Sequence, residues 1–114
     1  MKQILVIRKD LKMRRGKEIA QGAHASLLAT LNYREHKYVQ EWLQGTFTKI
    51  TVTVDSEAEL LALADKAIYA GIPYGLIKDA GKTEFHGVET YTTVAIGPAP
   101  NEILEPITGN LRLY

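Results

Sequence analysis

The chain has 114 residues, 46% of them hydrophobic and 24% charged, with a formal net charge of +1; these are ordinary proportions for one globular domain spanning 1–114. Cysteine is absent, which excludes disulfides, thiolate nucleophiles and zinc–cysteine sites and agrees with a reducing, cytoplasmic setting. No apolar run approaches the ~20 residues of a membrane-spanning helix, so no membrane partner is expected.

The opening Met1-Lys2-Gln3-Ile4-Leu5-Val6-Ile7-Arg8 is too short for a signal peptide. Its continuous apolar run predicts a strand buried on both faces. A basic loop follows, and then a helix from about Gly16 to about Leu31. Ile19, Ala23, Leu27 and Leu31 form one stripe of that helix, with Ala20, Ala25 and Leu28 elsewhere, so the helix is expected to be largely enclosed. Tyr38 to Leu43 fits a short helix ending near Gly45. Lys49 to Val54 alternates with period two, a half-buried strand. Ser56 and Glu59 have capping-box spacing and open a helix that ends at Ala70-Gly71. Tyr74 to Ile77 reads as a third strand after Pro73. Thr92 to Ile96 is a fourth, stopped by Gly97-Pro98. Asn101 is the expected cap of a last helix running through Ile107. Alternating strands and helices indicate a layered α/β domain, whose site belongs at the carboxyl ends of its parallel strands.

Arg8, Lys9, Lys12, Arg14, Arg15 and Lys17 crowd one short segment, countered only by Asp10. A basic loop entering a helix N-terminus suits phosphate, because backbone amides and cationic side chains add there; a solvated charge run explains it equally well. Lys17 opposes the helix dipole, which favours the anion reading. Lys17, Gln21, His24 and Leu28 fall on one side of the helix. For His24, spacing alone favours a core histidine hydrogen-bonded to backbone. His36 and His86 make no metal-ligand spacing with it, so neither a metal nor another cofactor is expected. Lys78-Asp79-Ala80-Gly81-Lys82-Thr83 follows a strand, where α/β enzymes keep working groups, although Asp and Gly also form turns. Its Gly-Lys-Thr ending imitates a phosphate loop, but Leu76 stands where that loop needs glycine.

The segment Asp10-Leu11-Lys12-Met13-Arg14-Arg15-Gly16-Lys17, continuing to Gln21-Gly22-Ala23-His24-Ala25, resembles the type 2 peptidyl-tRNA hydrolase pattern D-L-K-M-G-K-G-K-x-A-A-Q-x-x-H-A. Leu76-Ile77-Lys78-Asp79-Ala80-Gly81-Lys82-Thr83 resembles that family's L-I-x-D-A-G-R/K-T. Ala95-Ile96-Gly97-Pro98-Ala99-Pro100 and Ile107-Thr108-Gly109-Asn110-Leu111 are similar to its closing I-G-P-x-P and V-T-G-x-L. The blocks keep family order over nearly the whole chain.

The resemblance implies a three-layer α/β/α sandwich around a small four-stranded mixed sheet, a homodimer, and hydrolysis of the ester between peptide and tRNA. It places the catalytic lysine on Lys17, the acid on Asp79 and the first threonine on Thr83. The second falls on Thr92, with Thr93 as the alternative, because the Glu84–Glu89 stretch is one residue longer than the family's. Lys12, Arg14, Arg15, Gln21, His24 and Lys82 are the implied contacts to tRNA and substrate. Arg14-Arg15 departs from the family's Gly-Lys while keeping its charge. Lys17 is the expected stabiliser of the tetrahedral oxyanion. Asp79, with an ordinary pKa of about 3.9, is expected to orient rather than act as base, and a histidine at position 24 has the better intrinsic range for a proton acceptor. Two other readings remain: a tRNA-binding domain without catalysis, and a divergent hydrolase of another nucleotide-linked ester.

Overall fold

The computed structural model describes residues 1–82 and 85–114. In chain order the elements are β1 (Lys2–Arg8), a 3-10 turn (Lys9–Leu11), α1 (Arg15–Asn32), α2 (Lys37–Leu43), β2 (Lys49–Val54), α3 (Glu57–Ala70), β3 (Tyr74–Asp79), β4 (Thr90–Ala99), α4 (Asn101–Thr108) and β5 (Arg112–Leu113). All the strands form one mixed sheet in the order β3-β4-β1-β2-β5. β1 and β2 are parallel, and the other pairs are antiparallel.

The sheet has five strands rather than the expected four. β5 pairs Leu113 with Val52 and Arg112 with Thr53, and Tyr114 N–H donates to the Thr51 carbonyl at 3.0 Å. Two residues cannot display a period-two pattern, so this strand left no signal in the sequence. β4 also passes through Gly97-Pro98 instead of stopping. Gly97 adopts a positive φ of 96°, donates its N–H to the Pro73 carbonyl at 2.7 Å and accepts from Gln3 Nε2 at 3.2 Å. Those bonds hold both neighbours while the strand bends. Pro100, not Asn101, occupies the N-cap of α4, and its carbonyl receives the Ile103 and Leu104 amides.

Ser56 caps α3 as its spacing foretold, Oγ accepting from Glu59 N–H at 3.1 Å. The helix closes on Gly71, with φ 69°. α3 and α4 cover one face of the sheet: Leu60, Leu63, Ala64, Ala67, Leu104 and Ile107 cluster with Ile4, Val6, Val52, Val94 and Ile96. Full burial of a side chain such as Leu60 or Leu104 contributes roughly 1.5–3 kcal/mol.

α1 lies on the other face through small residues, Ala25 and Ala29 against Ala95, with Leu5 and Ile77 beside them. A Cβ on Gly75 would stand 2.6 Å from the Ala25 carbonyl oxygen and 2.7 Å from the Ala29 nitrogen. Only glycine allows the helix backbone this close to β3. A buried chain from Ser26 Oγ to Gln3 Oε1, 2.6 Å, ties α1 to β1.

The expectation of an enclosed α1 fails. Ile19, Leu27 and Leu31 are 67%, 58% and 51% exposed, because the Ala/Gly side of the helix meets the sheet and the large apolar stripe points away. Two adjoining hollows of about 640 and 480 Å³ share Leu5, Gly22 and Ala23 along this ridge.

Candidate active site

The first turns of α1 meet the carboxyl end of β3. The Lys17 ammonium lies 2.9 Å from Asp79 Oδ2, with the two side chains 13% and 14% exposed. Gln21, one turn further along α1, donates Nε2–H to the same oxygen at 3.1 Å. The Gly81 amide donates to Asp79 Oδ1 at 2.6 Å. Asp79 is thus gripped from the helix and from its own loop, the geometry of an Asx turn that closes onto a cation. Gly81 has φ 81°, and a Cβ there would collide with the backbone of Val88. Glycine is required at that corner.

Thr92 extends the chain of bonds inward, its hydroxyl donating to Gln21 Oε1 at 2.6 Å. The direction is fixed by chemistry: a carboxylate only accepts, so the Gln21 amide nitrogen faces Asp79 and its oxygen faces Thr92. A bulge in β4 makes this possible. Ile77 pairs with Thr93 but Lys78 pairs with Tyr91, leaving Thr92 as the extra residue. Tyr91 packs with the α3 side of the sheet, whereas Thr92 bonds to α1. Thr92 and Thr93 are both fully buried, and the Thr93 hydroxyl has no hydrogen-bond partner among the described residues.

The Lys17 hydrogen bond, followed by the Gly81 amide, holds the Asp79 carboxyl below its ordinary pKa. Lys17's charge and the Gln21 bond reinforce this, and burial opposes it only partly. Asp79 is accordingly an anion at neutral pH, a poor proton acceptor and a good anchor. Lys17, set against the helix dipole, has its counter-charge here. The Phe85 ring centroid lies 5.0 Å from its ammonium, a contact that sequence reasoning missed because nothing in the Glu84–Glu89 pattern announces it.

The candidate residues divide clearly. Lys17, Gln21, Asp79 and Thr92 converge; Thr83 lies outside the described residues. Lys12 and Arg14 are exposed on the segment entering α1, Arg15 is exposed as its first residue, and Lys82 is exposed just beyond the Asp79 turn. His24 is exposed on the Lys17–Gln21 side of α1, not a core histidine, because the stretch of α1 touching the sheet there is Gly22 and Ala25. Arg8, part of the basic run, is a strut. It is 8% exposed, bonds Asp10 with both Nε and Nη2 and donates to the Tyr91 carbonyl at 2.9 Å. His36 caps α2, its Nδ1 accepting from Tyr38 N–H. Among the described residues no three His, Cys, Asp or Glu side chains are grouped so as to hold a metal ion, and no helix is long and apolar enough to cross a membrane.

The chain is 44% identical over 115 aligned residues to the peptidyl-tRNA hydrolase of Methanocaldococcus jannaschii, covering 99% of each. It is 45% identical to that of Halobacterium salinarum, covering all of both chains, and 43% identical to that of Thermococcus sibiricus, covering 98% of this chain and 96% of the relative. A solved structure, the protein of unknown function Atu0240 from Agrobacterium tumefaciens strain C58, shares the fold. It has a TM-score of 0.65 at 12% identity, over 99% of this chain and 96% of that one. The family model described as peptidyl-tRNA hydrolase PTH2 matches residues 1–114, and the chain belongs to that family.

Proposed function

We infer that this protein hydrolyses the ester bond of peptidyl-tRNA, releasing peptide and free tRNA. The observation that carries the reading is the Lys17–Asp79–Gln21–Thr92 chain of bonds in a member of this family. Water adds to the ester carbonyl carbon, the carbonyl oxygen becomes an oxyanion, and the bond to the ribose oxygen then breaks as that oxygen takes a proton. Lys17 is assigned to the oxyanion, where a fixed cation in a partly desolvated site lowers the barrier most. Asp79 aims the ammonium. Gln21 aims Asp79, and the buried Thr92 acts through Gln21 as a positioning residue. Thr83 is assigned to water or substrate by resemblance to the family.

Lys12, Arg14, Arg15 and Lys82 are assigned to the tRNA backbone, where phosphate contacts supply affinity without reading sequence. His24, exposed beside Gln21, is assigned to the acyl end of the substrate. The reading takes 1–114 as one domain, with its helices and sheet layered as an α/β/α sandwich, and places the protein in the cytoplasm with translation. A second copy is proposed to cover the Ile19–Leu27 ridge. That patch carries both Arg15 and Glu18 beside its apolar centre, so a two-fold axis would set opposite charges together.

The test is release of free tRNA from an N-acetylated aminoacyl-tRNA. Binding without release would leave a tRNA-binding domain. Release only from a different nucleotide ester would leave a divergent hydrolase.

A further inference from the structure

β3 ends the sheet. Its strand neighbour is β4 alone, and among the described residues its backbone pairs with no other strand. Gly97 N–H donates to the Pro73 carbonyl, so alternation turns the backbone groups of Tyr74, Leu76 and Lys78 outward, away from β4. An unpaired strand edge of this kind is a template for an added strand.

The same edge leads to the catalytic groups. Asp79, the last residue of β3, holds Lys17 at one end of α1, while the rings of Tyr33 and Tyr74 lie 6.0 Å apart at the other. Helix and strand therefore run side by side in opposite directions. Lys17, Gln21, His24, Leu28 and Asn32 follow one another on one side of α1 at helical spacing. At the far end a hollow of about 420 Å³ is lined by Leu28, Asn32, Tyr33, Tyr74, Gly75 and Leu76.

We propose that the outer edge of β3 is the binding site for the peptide portion of the substrate, which lies along it as an extra parallel strand, with its esterified carboxyl at Lys17 and Asp79 and an upstream side chain in the Tyr33–Tyr74 hollow. The proposal rests on the hydrolase reading and extends it to the peptide. The polarity follows from the chemistry: the reacting carbonyl is the peptide's C-terminus and must reach the Asp79 end, so the peptide runs in the direction of β3. The strand from Tyr74 to Asp79 spans roughly 17 Å, room for about five extended residues. Main-chain pairing suits this substrate, because every residue except proline carries the same backbone donor and acceptor whatever its side chain.

The experiment uses the unaltered protein and tRNAs esterified with N-acetyl-alanine, N-acetyl-tetra-alanine, and tetra-alanines carrying one N-methyl group at each amide in turn. Loss of one or two backbone bonds corresponds to about tenfold. The tetrapeptide substrate is expected to exceed the single-residue one in kcat/KM by at least about tenfold. That gain should disappear on methylation of every second amide and survive methylation of the amides between, the signature of strand pairing. Equal kcat/KM for the two lengths overturns the proposal, as does a length gain indifferent to N-methylation. Failure to cleave any of these esters instead removes the hydrolase reading, and the proposal falls with it.

Discussion

Thr92 is fully buried, and among the described residues its hydroxyl makes one hydrogen bond to the site, 2.6 Å to Gln21. Its hydroxyl therefore influences catalysis only by holding Gln21, which in turn holds Asp79 Oδ2 at 3.1 Å. Thr92→Val keeps the volume and deletes the donor, leaving the Gln21 carbonyl oxygen unsatisfied in a buried place. That costs about 1–3 kcal/mol of stability, read as a lower urea midpoint at unchanged slope. Turnover on N-acetylated aminoacyl-tRNA should fall about tenfold, the equivalent of ~1.4 kcal/mol of misplaced Asp79 and Lys17, with the Michaelis constant little changed. Gln21→Ala should produce a loss of similar size or larger. The decisive measurement is the double variant. If Thr92 works through Gln21, Thr92→Val adds almost nothing in the Gln21→Ala background, and the two losses are strongly non-additive. Losses that multiply independently would show that Thr92 reaches the substrate directly and would refute the relay.

Replacing Arg14 and Arg15 together with alanine should raise the Michaelis constant and flatten its salt dependence while leaving saturated turnover nearly intact; an unchanged salt slope would make the loop a solvated surface. The depressed Asp79 carboxyl contributes stability that is fully present above the unfolded value of about 3.9 and lost as pH falls through the lower folded value. The ratio of wild-type to Asp79→Asn turnover should accordingly stay constant from about pH 5 to about pH 8, and a ratio that climbs with pH inside that window would make Asp79 the titrating base. Leu27→Glu, a charge placed on the exposed apolar ridge, should convert a dimer to a monomer in sedimentation at matched concentration, whereas a wild-type protein already monomeric would remove the second copy from the account.

Much of the fold was legible because its signals are local. The strand at Lys49–Val54, the Ser56–Glu59 cap and the Gly71 stop each act within a few residues and reappear at the expected places, although that strand is not half-buried: Val52, Thr53 and Val54 are buried in succession. The misses are tertiary. Which side of α1 is buried depends on Gly75 admitting the helix backbone at contact distance, and nothing in residues 16–31 reports on a glycine in β3. The same cause moved His24 from core to surface. β5 exists only as a partner for β2. In the site, resemblance to the family brought Lys17, Gln21, Asp79 and Thr92 together, and periodicity contributed only the shared helix side of Lys17 and Gln21. Motif counting leaves Thr92 against Thr93 open because the 84–89 stretch is one residue longer than the family's; in the structure Thr92 bonds Gln21, whereas the Thr93 hydroxyl has no partner among the described residues. The Phe85 contact to Lys17 comes from a stretch with no recognisable pattern.

Lys17, held by Asp79, is proposed to supply the transition-state charge. The most direct test is the single-turnover rate of N-acetylated aminoacyl-tRNA cleavage at saturating enzyme, for the wild type and for Lys17→Ala with its folded content checked by circular dichroism. That rate is expected to fall by at least ~10²-fold, the usual scale for losing one transition-state contact, with substrate affinity changed far less. A Lys17→Ala protein that is folded and cleaves within a few-fold of the wild type would contradict it and move the chemistry away from the Lys17–Asp79 pair.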